Sequence, residues 1–186
     1  MAGERSRVTG RARKVLYLDT APSAGGSVIS LYELLRNLDR THYDPVVVAY
    51  TAHAYVDRFR ALGLDVIVWD KHGARDHRPV WVRQASESKL IQGLRRQLWA
   101  ASMYHAAGFA LMLAARVWPL ATALRRVIKQ RGIDLLHTNI RVGHYREGII
   151  SAKLAGIPCV SHIRDFERLN AFDRRLARMV DAFIYI

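Results

Sequence analysis

The chain has 186 residues, 51% of them hydrophobic and 24% charged, enough to bury one full-sized core and too apolar for an intrinsically disordered chain. Its 29 Lys and Arg against 16 Asp and Glu give a net charge of +13, a field that attracts polyanions such as nucleic acid, anionic lipid or phosphate-bearing ligands. The single cysteine, Cys159, excludes an internal disulfide and a thiolate metal cluster; within its apolar run it reads as a buried, inert thiol.

Residues 1–13 are basic but hold no apolar stretch, so they read as a flexible tail and not as a secretory signal. Lys14 to Asp19 is a near-continuous apolar run, the pattern of a parallel strand covered on both faces. It leads through Thr20-Ala-Pro-Ser-Ala-Gly-Gly-Ser27 into a helix with apolar positions Val28, Leu31, Leu34, Leu35 and Leu38. Strand, glycine turn and helix is the context of a phosphate-facing loop. The G-x-G-x-x-G fingerprint is absent, and Ser27 stands where a Walker lysine would follow Gly26. Gly25, Gly26 and Ser27 thus make either a tight structural turn or a place where backbone closely approaches a ligand. Pro45 to Tyr50 predicts a second strand, Tyr55 to Leu62 a short helix closed by Gly63, and Leu64 to Trp69 a third strand. Such alternation predicts an α/β fold, a Rossmann-like parallel sheet with helices on both faces.

From Asp70 to Arg96 periodicity is lost. His72 and His77 lie there without the Cys or carboxylate partners a metal site needs, so the segment reads as a solvated basic loop and no metal is expected. Leu98 to Gln130 predicts a helix, interrupted near Trp118-Pro119. Its apolar centre, Ala106 to Ala115, is roughly half of what a bilayer crossing requires. Extension to Leu124 would bury Arg116 at a cost of roughly 2.5 to 3.5 kcal/mol. The helix is therefore expected to pack on the domain or to lie in a membrane interface, with Arg95, Arg96, Arg125 and Arg126 near its ends. No DNA- or RNA-reading motif accompanies the positive charge, which favours a membrane surface or a phosphate-bearing ligand over nucleic acid.

The most informative stretch runs from Asp134 to Asp165. Leu135-Leu136 and Ile157 to Val160 read as parallel strands joined by a helix from Tyr145 to Ala155. Their polar ends then emerge at one sheet edge, and ligands of open parallel sheets sit beyond such carboxyl ends. The candidate cleft residues are His137, Thr138, Asn139, Arg141, His162, Arg164 and Asp165. Arg168 to Val180 predicts a further helix and Ala182 to Ile186 a buried sixth strand, which implies a continuation of the chain or an edge completed by another one.

The order of Val15-Leu-Tyr-Leu-Asp19, Gly25-Gly26-Ser27, Gly132-Ile-Asp-Leu-Leu-His-Thr-Asn139, Ala152 to Val160, His162-Ile-Arg-Asp165 and Asp181-Ala-Phe-Ile resembles the N-terminal half of family 4 glycosyltransferases, of the GT-B fold. The resemblance runs from Lys14 onward and is strongest after Gly132. It implies a two-domain enzyme that moves a sugar from a nucleotide-sugar to an acceptor with retention and without a required metal or other cofactor. In that family the N-terminal domain holds the acceptor, and its glycine loop, matched by Gly25 and Gly26, approaches the donor phosphates. A C-terminal domain, not represented in these residues, carries most donor contacts. The half alone is then expected to be inactive, and the location cytoplasmic, peripheral to a membrane bearing lipid-linked or cell-envelope acceptors. A different expectation is a noncatalytic membrane-docking module that recruits a separate donor-binding subunit. Some members carry a second histidine two residues after the position of His137; here it is Asn139. Asn cannot exchange a proton near neutral pH, so its expected role is a hydrogen bond to a sugar hydroxyl.

Overall fold

A computed structural model of the protein describes residues 11–21, 23, 25–69, 107–164 and 168–185. The expected basic loop with His72 and His77, the beginning of the long helix, and Asp165 lie outside these residues, as do residues 1–10 of the expected tail. The strands are β1 (Arg13–Asp19), β2 (Tyr43–Ala49), β3 (Asp65–Val68), β4 (Leu135–Thr138), β5 (Cys159–Ile163) and β6 (Ala182–Tyr185). The helices are α1 (Gly26–Arg36), α2 (Ala54–Ala61), α3 (Trp118–Arg131), α4 (Arg146–Ala155) and α5 (Ala171–Ala177).

All six strands are parallel, in the order β3-β2-β1-β4-β5-β6. The chain starts in the middle, winds outward to one edge and then returns to wind toward the other, so the switch lies between β1 and β4. Alternate residues of each strand feed opposite cores. Leu16, Leu18, Val46, Val48, Leu136 and Cys159 pack with Leu124 and Ile128 of α3, Ile149 and Ala152 of α4 and Leu176 of α5. Val15, Tyr17 and Val47 pack with Val28, Leu31 and Leu35 of α1 and Phe59 of α2. Both faces of the central strands are covered, which explains the unbroken apolar runs. Burial pushes the Cys159 thiol up to about 12 and leaves it protonated and inert.

The helices that feed the site strands stop on glycine. Gly132 (φ 61°) caps α3 and Gly156 (φ 74°) caps α4, both left-handed, and each turns the chain within a few residues into β4 or β5. At the amino edge, Asp134 accepts from the Lys14 amide (2.8 Å) and from Arg11 (2.8 Å). Ordered structure therefore begins ahead of Lys14, the boundary expected from sequence.

Three elements differ from expectation. The interruption near Trp118-Pro119 is a π turn, Leu113–Val117, within one continuous helix over Ala107–Arg131. Proline lacks an N–H and its ring crowds the preceding turn; the wider π turn gives it room. The helix expected over 168–180 contracts to α5, because Asn170 caps it, accepting from the Asp173 amide at 2.8 Å. The sixth strand is not buried. It is a sheet edge, with Ile184 45% and Tyr185 73% exposed.

Candidate functional site

The carboxyl ends of β1, β4 and β5 meet the first turn of α1 at the switch point. Val28 is the first amide to bond within α1, to the Gly25 carbonyl at 3.0 Å. The Gly26 and Ser27 amides precede it, the usual unpaired donors of a helix start, which favour an anion. Gly25 is extended (φ −138°, ψ 176°), and a Cβ added to it or to Gly26 would meet nothing within 4 Å. Neither backbone conformation nor packing of the free protein requires glycine there. Open space over bare backbone is what close approach by a ligand needs.

This first turn is braced from the neighbouring strands. Asn139 Nδ2 donates to the Ser27 carbonyl at 2.8 Å. Arg164 Nε donates to both the backbone and the side-chain oxygen of Asn139, each at 3.1 Å, and its Nη1 donates to Ser30 Oγ on α1. Its own amide bonds the Ile140 carbonyl at 3.0 Å. Asn139 is only 1% exposed. Its amide is thus engaged within the protein, where it holds the glycine loop.

Beneath the brace lie two imidazoles. Arg164 Nη2 lies 3.1 Å from His162 Nδ1; a guanidinium can only donate, so the His162 proton sits on Nε2. His137 packs edge-on to His162 (5.8 Å between centroids) and against Tyr17 (4.9 Å). Burial, then the neighbouring His162 and Arg164, lower the His137 pKa to about 4. Burial and Arg164 likewise lower that of His162. Both rings are neutral near pH 7 and, 5% and 9% exposed, lie under the cleft floor.

Not every expected residue is here. Thr138 faces the opposite core, where its hydroxyl donates to Ser161 Oγ at 2.9 Å, so it is a buried structural residue and not part of the cleft. Arg141 stands in the loop after β4 and donates to His144 Nδ1 at 2.7 Å. Residues absent from the expectation also belong. The Tyr55 amide donates to His53 Nδ1 (3.2 Å), so the neutral ring donates from Nε2 to Asp19 Oδ2 (2.9 Å). The other Asp19 oxygen accepts from the Ala21 amide at 3.0 Å, fixing the start of the glycine loop. Burial outweighs these contacts and raises the Asp19 pKa.

Among the described residues, His137 Nδ1 and His162 Nε2 are buried without a hydrogen-bond partner, whereas the Tyr50 phenol meets Glu147 and the Tyr145 phenol meets Thr20. Both ring nitrogens belong to this one sheet edge. A depression of about 500 Å³ lined by Arg13, Tyr43, Asp134 and Pro158 lies at the opposite, amino edge, where parallel sheets do not place ligands. Among the described residues no group of three His, Cys, Asp or Glu side chains is arranged to hold a metal ion.

No protein-family model matches the sequence, and no curated protein matches it. Solved structures do share the fold. MurG of Acinetobacter baumannii superimposes with a TM-score of 0.58 at 15% identity, over 93% of this chain and 41% of that one. A glycosyltransferase of Rickettsia africae superimposes with a TM-score of 0.56 at 11% identity, over 88% of this chain and 33% of that one. The protein therefore has a Rossmann-like fold corresponding to a single half of a GT-B fold, and spans well under half the length of these structures.

Proposed function

We propose that this chain is the acceptor-side, N-terminal half of a retaining glycosyltransferase resembling family 4. It would act with a donor-binding half on a nucleotide-sugar and a glycan, lipid-linked or cell-envelope acceptor, with no metal required. The observation that carries the reading is the bare Gly25-Gly26 backbone at the start of α1, open to solvent at the switch point and braced by Asn139 and Arg164. The fold shared with longer glycosyltransferase structures supports it. The helix start would receive the donor diphosphate from across a cleft. The neutral, buried His137 and His162 would support the floor and not transfer protons. Incubating the chain with nucleotide-sugars and lipid-linked acceptors should give no turnover, and adding a donor-binding half should restore it. Robust transfer by the chain alone would overturn the division of labour.

A second reading is a membrane-docking module that recruits a separately encoded donor-binding subunit from the cytoplasmic face. It is favoured by the helix over Ala107–Arg131, apolar yet only 17% buried over its most apolar window, with Leu111 and Trp118 exposed. The two readings are compatible, since an acceptor-side half that meets lipid-linked substrates gains by lying on their membrane.

A further inference from the structure

The helices on the two sides of the sheet differ in how their charge is met. On the α1–α2 side, Arg36 pairs with Glu33 at 3.6 Å and Arg60 with Asp57 at 3.1 Å. The helices of the α3–α5 side hold two acids, Glu147 and Asp173, both buried, and Arg146 takes Asp173 at 2.6 Å. Arg116, Arg126, Lys153, Arg174, Arg175 and Arg178 on that side are exposed and meet no carboxylate among the described residues. Exposed apolar side chains stand among them: Leu111, Trp118 and Leu154. Arg125, two turns after Trp118, donates to the Leu154 carbonyl at 3.1 Å, which sets this stripe of α3 alongside Leu154 on α4. The long helix runs against the strands, because Gly132 at its end turns the chain into the amino start of β4. With a rise of about 1.5 Å per residue, Trp118 stands about 20 Å and Leu111 about 30 Å back from Gly132, against roughly 13 Å for β4. The apolar end of the helix therefore lies at the carboxyl edge, the edge of the glycine loop. Phe109, packed on Phe172 at the start of α5 with 5.3 Å between centroids, holds it there.

We propose that the α3–α5 side is the surface on which the protein lies against anionic lipid, with Leu111, Trp118 and Leu154 in the interface and the cleft edge beside the headgroups. The proposal rests on the docking reading above and names its surface and orientation. Unpaired cations framing exposed aromatic and aliphatic side chains complement anionic headgroups laid over acyl chains. An indole is at home at that boundary, with its ring among the chains and its N–H toward water. Nucleic acid would meet the same cations but leave the apolar side chains without a role. The core of a protein interface is depleted in charge, and here arginine and leucine alternate across the surface. An acceptor anchored in the bilayer would then reach the glycine loop from the side, without leaving its membrane.

Binding to vesicles of phosphatidylglycerol and phosphatidylcholine tests the surface at roughly 0.1 M salt, where the screening length is about 10 Å. Arg174→Gln, Arg175→Gln and Arg178→Gln combined should weaken binding about a hundredfold. Arg36→Gln, Arg40→Gln and Arg60→Gln combined remove the same charge from the far side of the sheet and should weaken it less than about threefold. An environment-sensitive fluorophore on Leu111→Cys should shift to the blue with these vesicles, and the same fluorophore on Glu33→Cys should not; Cys159, buried, stays unlabelled. Circular dichroism checks the fold of the triple variants, and if the Arg174 set unfolds, the two labelled variants decide. Equal weakening by both triple variants, or an unshifted fluorophore on Leu111→Cys, overturns the surface and leaves docking by net charge standing. Duplex RNA that binds through the Arg174 set more tightly than the vesicles do overturns lipid as the partner. Failure of the natural chain to bind these vesicles removes docking and surface together.

Discussion

At the scale of single residues, position along a strand was legible and direction was not fully used. Strand ends in an alternating pattern put His137, Asn139, His162 and Arg164 at one edge. The same two-residue period already separates Thr138 from His137, so its burial with Ser161 on the other face was available from the sequence. The Asp19–His53 pair was not. Its members are 34 residues apart and meet only because β1 and β2 are neighbours. His137 also has a measurable consequence. Its native pKa lies at about 4, against roughly 6.5 for an unfolded histidine. Between those values the unfolded chain binds the extra proton, so stability is full above about pH 6.5, falls as the pH drops toward 4, and is flat below. The full loss is on the order of 3 kcal/mol. Asp19, whose pKa is raised, contributes with the opposite sign. A His137→Gln variant keeps Asp19 and so isolates the imidazole. Urea midpoints at pH 7 and pH 4.5 should fall more steeply in the natural protein than in the variant. Equal falls would contradict a neutral, buried His137.

At the scale of elements, the strand and helix order was readable because buried parallel strands and amphipathic helices leave different periods, and glycine marked the ends of α3 and α4. Element lengths were less legible: a polar cap such as Asn170 cut α5 short within an otherwise helical composition. Glycines show the same limit, since identical letters do different work. A Cβ at Gly148 would stand 2.5 Å from Leu18 Cδ1, so that glycine lets α4 close onto β1. Gly148→Ala should cost about 1 to 3 kcal/mol through overpacking. Gly26→Ala meets open space in a helical position and should leave stability unchanged or raise it by up to about 1 kcal/mol. The same Gly26 change should weaken diphosphate binding by narrowing the backbone approach. Denaturation of both variants, with a diphosphate titration of the second, checks the contrast. A destabilised Gly26→Ala would return that glycine to a structural role.

At the scale of the whole molecule, composition alone could not place the long helix, since a core helix and a surface-seeking one share the same apolar letters. Burial separates its two parts. Ala121, Leu124 and Ile128 are within 1% of full burial and belong to the body of the domain, so this part cannot enter a bilayer without dismantling the core. The preceding turns expose Leu111 at 40% and Trp118 at 55%, beside Arg116, Arg125 and Arg126. Those turns lying flat in an interface satisfy both facts, with the net charge of +13 drawing the protein toward anionic lipid. On the docking reading, the protein should float with vesicles containing phosphatidylglycerol at low salt and not with phosphatidylcholine alone. At about 1 M salt, where charges are screened beyond about 3 Å, flotation should be largely lost. Trp118→Ser should weaken it at low salt without changing the heat-denaturation midpoint, because the indole makes little contact with the core. Protein remaining in solution with anionic vesicles at low salt would exclude docking by charge and leave the exposed helix face to a protein partner.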